Sequence, residues 1–411
     1  MGAPEETPLP PSSSASLVLA HPTPEERKKT WTLSQKEWGT ALTVDEYLHR
    51  EQYLMTVPLA KAGGLTHWIL TIRSMPEDAR PILSSCESLR KRALYTTSAQ
   101  HDVSEGIAHG VGSVYTDPAY RGKGYASRML LMVRDELKAY QGPSIASPTA
   151  PHKMPPVAFS FLFSDIGKEF YAARGWAPHR STHLSFSSLP KDAAATNGAA
   201  VSSTAEPQTT ALGYHELAEL CTRDEALLRE RMALHRAPPS APTPRDPSRP
   251  LTYVALPPDL DTMLWHLMRE DFITTRIFGS IPTARGAVYG EKGKRVWAIW
   301  TRTYVAKPPK TAPNTLYILR LVVEDEDAGD EYISEGLRAI IGFARREAGE
   351  WGTSQVQLWN PEADVEALMK RAGLTFDVVE RESDSIPSLM WYGEGPAENV
   401  VWVAGEKHTW C

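Results

Sequence analysis

Gly112-Ser113-Val114-Tyr115-Thr116-Asp117-Pro118-Ala119-Tyr120-Arg121-Gly122-Lys123-Gly124-Tyr125-Ala126-Ser127-Arg128-Met129-Leu130 carries the strongest structural signal in the chain. A strand is predicted over 107–116. It ends at Asp117-Pro118, because proline cannot continue a ladder. A helix is predicted over 127–140, with Met129, Leu130, Val133 and Leu137 on one face. The turn between them holds Gly122 and Gly124, which can adopt conformations closed to other residues and let a ligand approach the backbone. Such a turn directs the free N–H groups of the helix start at an anion. Arg121 and Lys123 add positive charge, and Ala126 is small enough for close packing. The plainer alternative is a sharp loop before a capped helix.

Outward from this stretch, 44–54 reads as a helix. Residues 67–73 read as a strand, with Trp68, Leu70 and Ile72 alternating against His67, Ile69 and Thr71. The apolar run 157–163 suits a buried strand, and a helix over 166–174 stops at Gly175. Residues 1–25 are rich in Pro, Ser, Ala and Glu and read as a flexible N-terminus. Residues 191–210 and 237–250 read as low-complexity linker, with a helical connector over 214–234 between them. The expected organisation is therefore a flexible 1–25, a domain over 26–190, a connecting region over 191–250 and a second domain over 251–411. In the second domain 295–304, 317–323 and 355–359 read as strands, and 332–347 and 361–371 as helices. The fold class is α/β (α+β) in both halves.

The chain has 411 residues, 42% hydrophobic and 23% charged, with a formal net charge of −6. This is the balance of a globular protein and gives no concentrated basic face for nucleic acid. Cys86, Cys221 and Cys411 are too dispersed for a CxxC-type site, so no metal is expected. An odd, sparse set of cysteines suits a reducing compartment. No apolar run approaches the roughly 20 residues that span a bilayer. Met1-Gly2-Ala3-Pro4-Glu5-Glu6 starts like a myristoylation signal but has Glu6 where Ser or Thr is required. The expectation is a cytoplasmic chain that binds neither membrane nor nucleic acid.

The stretch from Gly112 to Leu130 resembles the acetyl-CoA motif of the GNAT superfamily (GCN5-related N-acetyltransferases). The family pattern Arg/Gln-x-x-Gly-x-Gly/Ala is met by Arg121, Gly124 and Ala126. Phe159-Ser-Phe-Leu-Phe-Ser-Asp-Ile-Gly-Lys-Glu-Phe-Tyr-Ala-Ala-Arg-Gly-Trp176 resembles the next strand and helix, which commonly end in Tyr-x-x-x-Gly-Phe/Trp, here Tyr171, Gly175 and Trp176. The resemblance implies a GNAT fold over the N-terminal domain and acetyl-CoA as co-substrate. It implies main-chain contacts to pantetheine from Ser113, Val114 and Tyr115, where two strands splay. Phosphate contacts are implied from Arg121, Gly122, Lys123, Gly124, Tyr125 and Ala126, with Ser164 completing the cofactor set. It makes Tyr171 the donor that protonates the departing thiolate. The alternative for Tyr171 is a core residue bonded to a carbonyl.

An amine acceptor is protonated at neutral pH, so a base is needed. The Glu that many relatives carry on this strand is absent, and His109 is the candidate in its place, against a structural or solvent-facing role. The second half repeats the strand-and-helix order, but its loop reads Val323-Glu-Asp-Glu-Asp-Ala-Gly-Asp330, whose acids would repel a pyrophosphate. It is read as a degenerate GNAT-like copy that shapes the acceptor site, or else as an unrelated α+β domain. Asp384 and Ser385 are candidate substrate-binding residues. In some tandem enzymes of this fold the terminal carboxylate acts as a base, which would bring Cys411 or His408 into the site.

Glu26-Arg-Lys-Lys-Thr-Trp31, Leu42-Thr-Val-Asp-Glu-Tyr-Leu48, the Tyr115–Met129 motif and Leu264-Trp-His266 resemble the fungal L-lysine N6-acetyltransferases of lysine catabolism. That resemblance implies transfer to the side-chain amine of free L-lysine in a ternary complex. The alternatives are a transferase acting on a protein or another small amine, and a non-catalytic acetyl-CoA-binding regulatory protein. The sequence does not give the oligomeric state.

Overall fold

The computed structural model describes residues 9–100, 102–143, 155–190, 209–235, 249–308 and 313–411. Of the linker expected over 191–210, residues 191–208 lie outside the described residues and Thr209 and Thr210 instead begin a strand; most of the proline-rich stretch 237–250 also lies outside them.

The strands are β1 (Leu17–Ala20), β2 (Leu65–Ile72), β3 (Ser84–Thr97), β4 (Ser104–Tyr115), β5 (Val157–Ser164), β6 (Ala177–Pro178), β7 (Thr182–Ser187), β8 (Thr209–Leu212), β9 (Thr252–Ala255), β10 (Gly286–Tyr289), β11 (Val296–Thr303), β12 (Thr315–Val323), β13 (Gln355–Trp359), β14 (Asp377–Glu380), β15 (Ile386–Trp391) and β16 (Val400–Trp402). The helices are α1 (Pro24–Trp38), α2 (Val44–Leu54), α3 (Tyr125–Leu137), α4 (Glu169–Ala172), α5 (Tyr214–Ala233), α6 (Leu260–Phe278), α7 (Asp330–Glu350) and α8 (Ala363–Arg371).

They form two sheets that exchange strands. The first has the order β1-β2-β3-β4-β5-β15-β6, with β9 paired to the end of β3 and β16 paired to β9. The second has the order β14-β7-β13-β12-β11-β10-β8. β7, from the first half of the chain, pairs with β13 and β14, while β15, from the second half, pairs with β5 along Ile386–Trp391. Each sheet thus takes the strand next to its edge from the other half. The sheets do not follow a linear division of the chain at 190 or 251.

The face of the first sheet covered by α3 is apolar: Met129, Leu130, Val133 and Leu137 pack on Trp68, Leu70, Val111 and Leu162. α7 does the same on the second sheet through Ile333, Leu337, Ile340, Ile341 and Ala344. Both helices show the one-sided spacing that the sequence displays. Residues 9–25 differ from the flexible segment expected. Leu17–Ala20 pair with Ile69–Ile72, and α1 starts at Pro24 on a capping box between Thr23 and Glu26. Backbone pairing supplies the order that a Pro- and Ser-rich composition hides. α4 is also shorter than the helix expected over 166–174.

A buried ion cluster ties α6 to the second sheet. Glu270, 1% exposed, accepts from Arg285 at 2.9 Å and from the Arg302 guanidinium at 2.8 Å; the Arg302 backbone N–H also donates to it, at 2.9 Å. Removing one member of such a cluster leaves uncompensated charge in the interior. Glu270→Ala is expected to destabilise the fold by about 3–5 kcal/mol, read as a drop in melting temperature. A melting temperature equal to that of the parent chain would contradict the assignment.

Candidate active site

β4 and β5 run parallel and pair from Ile107↔Val157 to Val111↔Leu162. Beyond Val111 that pairing ends, although β4 continues to Tyr115 and β5 to Ser164. β4 keeps β3 on its other side, with a register slip between the pairs Glu87↔Gly112 and Ser85↔Tyr115. Ser113 sits in that bulge with φ of 52°. The edge of β4 at 112–115 that faces β5 therefore has no strand partner. An extended ligand arm can supply one.

α3 starts at the mouth of this gap. Its N-cap is Gly124, with φ of 80° and no side-chain cap. By contrast α1 and α2 each begin with a capping box, Thr23 with Glu26 and Thr43 with Glu46. The first-turn N–H groups of α3 are left for an anion. Gly122 has φ of 76°, and nothing lies within 4 Å of where its Cβ would stand. At Gly124 a Cβ would come within 2.8 Å of Ser12 Oγ. The Tyr125 hydroxyl donates to the Pro10 carbonyl at 2.6 Å, so residues 10–12 border the turn. Arg121 and Lys123 are exposed beside it. Arg121 Nε is tethered to the Thr116 carbonyl at 2.9 Å. An unpaired strand edge, an uncapped helix start and two exposed cations fit a pantetheine arm with its pyrophosphate.

Tyr171 lies on the α3 side of the gap, 8% exposed, in the cluster that contains Val111, Leu162 and Tyr125. Burial, with Asp165 and Cys86 nearby, pushes its hydroxyl well above the ordinary tyrosine range. It stays a proton donor at neutral pH. Ser164 is fully buried. Its hydroxyl donates to the Gly167 carbonyl at 2.7 Å and accepts from the Ile166 N–H at 3.3 Å, shaping the turn before α4. That use differs from the cofactor contact expected of it.

The other face of the same strands carries polar groups that no motif in the sequence marks. Glu87 on β3 stands 3.1 Å from His67 Nε2 and accepts from Trp31 Nε1 at 3.4 Å, with Ser113 also bonded to it. Burial works to raise its pKa, but His67, Ser113 and Trp31 outweigh this and hold the carboxylate below its usual range. Two residues along is Leu89. Two further is Lys91, 3% exposed, whose Nζ donates to the carbonyls of His408, Thr409 and Trp410 at 3.3, 3.2 and 3.2 Å. Burial pulls Lys91 down to about 8.

This clamp lays residues 408–411 against β4. A Cβ on Gly110 would fall 2.9 Å from both Cβ and Sγ of Cys411, and one on Gly112 would fall 3.8 Å from the Cys411 carbonyl oxygen. A side chain at Gly110 would displace Cys411, whereas Gly112 lies in ordinary van der Waals contact with it. Burial raises the Cys411 thiol to about 11, so it is not a ready nucleophile.

The two histidines expected in the site fall elsewhere. His109 points to the α3 face, opposite Gly110 and Cys411. It is 1% exposed, its Nε2 lies 3.0 Å from the Tyr140 carbonyl, and burial lowers its pKa to about 4. That is the placement of a structural histidine. His408 is fully buried, with Nε2 3.2 Å from the Leu256 carbonyl and its pKa lowered by burial to about 3. It anchors the chain rather than lining a binding surface. Asp384 is exposed, and the N–H of Ser385 donates to Asp165 at 2.9 Å.

The second sheet repeats the splay. β12 and β13 pair in parallel only over Thr315–Ile318 and Gln355–Leu358. Here the gap is already used. Glu406 accepts from the Leu321 N–H at 2.9 Å and pairs with Arg320, which also grips Asp224 through Nε and Nη2 at 2.8 and 2.9 Å. The cleft outside, about 750 Å³, is lined by Glu324, Asp325, Glu326, Asp327 and Asp330. Glu324, held at about 2 despite burial by Arg295 and backbone N–H groups, is locked to its own fold. Among the described residues no group of His, Cys, Asp and Glu could hold a metal ion, and no helix is long and apolar enough to cross a membrane.

Residues 188–411 match the sequence profile of the LYC1 GNAT-like C-terminal domain family. A lysine acetyltransferase of Yarrowia lipolytica is 25% identical, over 94% of this chain and 98% of its own. An uncharacterized protein of Saccharomyces cerevisiae is 20% identical, over 94% and 96%. Among solved structures, a probable N-acyltransferase from Enterococcus faecalis superposes with a TM-score of 0.50 at 13% identity, covering 92% of this chain and 73% of its own. That structural likeness speaks to the fold.

Gly124→Ala is expected to weaken binding of CoA about tenfold, because a left-handed φ costs a non-glycine residue about 1–2 kcal/mol, so the free turn relaxes away from the conformation that binding then has to restore. Titration calorimetry measures this. Parent-like affinity would mean that the turn is not where the phosphates bind.

Proposed function

Since the chain belongs to the family of the LYC1 GNAT-like C-terminal domain, within the GNAT superfamily, we propose that it is an acetyl-CoA-dependent N-acetyltransferase whose acceptor is the side-chain amine of free L-lysine, giving N6-acetyl-L-lysine. The observation that carries this reading is the gap between β4 and β5. There the unpaired edge at 112–115 meets the uncapped start of α3. The lysine acceptor rests on the Yarrowia relative, which aligns along nearly its whole length.

Acetyl-CoA supplies an activated acetyl thioester, and this chain's residues hold it and handle protons. Ser113, Val114 and Tyr115 offer main-chain groups to the pantetheine arm. Gly122, Lys123, Gly124, Tyr125 and Ala126 receive the pyrophosphate, with Arg121 adding charge at the rim. Tyr171 is the proton donor to the departing thiolate, since burial keeps its hydroxyl protonated. Glu87 takes the place of the missing strand-4 glutamate. Its carboxylate is ionised at neutral pH, borders the Ser113 bulge and can accept the proton of the incoming ammonium through water. Cys411 walls the site beside it. A free lysine amine has a pKa near 10.4, so an acceptor for that proton is required. Transfer is direct, in a ternary complex. The raised thiol of Cys411 offers no acyl-enzyme route. A protein acceptor fits less well, because residues 408–411 already cover the strand face next to Glu87.

Thiol release from acetyl-CoA with L-lysine tests the proposal, and the absence of release with L-lysine or any other amine would defeat it. Tyr171→Phe and Glu87→Gln are each expected to lower kcat by about 10²–10⁴ with little change in KM for acetyl-CoA. Glu87→Gln should also flatten the acidic limb of the pH–rate profile. A variant that keeps parent-like kcat removes its residue from the mechanism.

A further inference from the structure

Arg381 is 5% exposed, and its Nε and Nη2 have no hydrogen-bond partner. Only its Nη1 is bonded, to the Thr182 carbonyl at 3.2 Å. Its guanidinium stacks on Trp359, 3.9 Å from the ring centroid. Elsewhere in this protein the same Nε/Nη2 edge takes a carboxylate in both oxygens. Arg80 holds Glu26 that way at 2.8 and 2.9 Å, and Arg320 holds Asp224 at 2.8 and 2.9 Å. At Arg381 that edge is unfilled, and a buried guanidinium left so is costly. Its stacked, fixed plane suits a planar bidentate anion.

The surroundings fit an amino acid rather than a simple anion. Asp384 lies within electrostatic reach of Arg381, and Asp384 and Asp165 both lie within reach of the neighbouring Lys407; both acids are exposed. Asp165, whose surface meets solvent but whose carboxyl is crowded, is raised to about 6 by burial and by Asp384, so the pair would welcome a cation. Lys407, 6% exposed, stands in a box of Tyr317, Trp359 and Trp410, with Nζ 4.4, 4.0 and 4.3 Å from their centroids. Trp410 leads directly to Cys411 beside β4, and Asp165 is a near neighbour of Tyr171. Trp359, Lys407 and Trp410 thus form one packed series of contacts from Arg381 toward Cys411.

We propose that Arg381 binds the α-carboxylate of the acceptor amino acid through its Nε/Nη2 edge, with Asp384 and Asp165 receiving the α-ammonium. This rests on the acetyltransferase reading and deepens it: the acceptor is a free zwitterion, not a residue within a peptide. Arg381 is then a specificity-determining residue that touches substrate away from the bond that changes.

The test is calorimetric binding of L-lysine, lysinamide and Nα-acetyl-lysine to the full chain and to Arg381→Gln and Arg381→Lys. The parent should prefer L-lysine over both analogues. R381Q should weaken L-lysine by at least about 30-fold, the loss expected when a buried charge pair is cut on one side, and leave lysinamide unchanged. R381K keeps the charge without the fork and should fall between. Unchanged melting temperature and CoA affinity in R381Q would show that the fold persists. If R381Q does not fold, the parent's own ratio of L-lysine to lysinamide decides, and a ratio near one overturns the proposal. Equal losses for L-lysine and lysinamide, or parent-like L-lysine binding in R381Q, also overturn it. Preference for Nα-acetyl-lysine would overturn the free-zwitterion part and point to a peptide C-terminus. If L-lysine binds as stated but no thiol is released with any amine, the carboxylate site stands and the transferase reading falls.

Discussion

One buried ammonium organises the centre of this protein. Lys91 donates to three successive carbonyls, those of His408, Thr409 and Trp410. Through them it fixes the segment that runs from Glu406, in the second splay, to Cys411, beside the first. A lysine so deeply buried is costly unless its donors are used. Here all three point at main-chain oxygens, which no side-chain substitution in the segment can remove. The result is a chain end that fills one strand gap and borders the other.

That arrangement explains why two similar halves behave differently. Both sheets hold a parallel strand pair that separates partway along, β4 from β5 and β12 from β13. In the first the freed edge and an uncapped helix remain open. In the second, Glu406 takes the Leu321 N–H, Arg320 is committed to Asp224 and Glu406, and Glu324 is bonded to Arg295 and Gly293. The second gap is closed by the protein's own groups before electrostatic repulsion need be considered. The exchange of β7 and β15 makes the halves interdependent, so this division of labour is built into one folding unit.

The sequence showed the framework well and the chemistry poorly, for one physical reason. The bounds expected for β13 and α2 coincide with the observed ones, and those for α3, α5 and α7 lie within a few residues, because their side-chain spacing is regular. The glycine turn was legible because backbone conformation constrains residue type. β3 was not legible. Its run Ser84-Ser85-Cys86-Glu87-Ser88-Leu89-Arg90-Lys91 looks polar, yet Ser84, Ser85, Ser88 and Lys91 are buried. Strands that carry functional groups depart from the pattern that reveals strands. A signal was available in the paired Gly110 and Gly112, which mark a close approach by another segment. His109 drew attention because histidine is so often catalytic, but its parity puts it on the α3 side. Arg381 gave no signal at all, since a lone arginine between acids reads as surface.

The central claim is that acetyl-CoA is held once, in the gap between β4 and β5. Titration of acetyl-CoA into the full chain, with stoichiometry as the readout, tests it most directly. One molecule per chain, lost when the exposed Arg121 and Lys123 beside the gap are both replaced by glutamate, is the predicted result. Two molecules per chain, or a single site indifferent to that replacement, would contradict it.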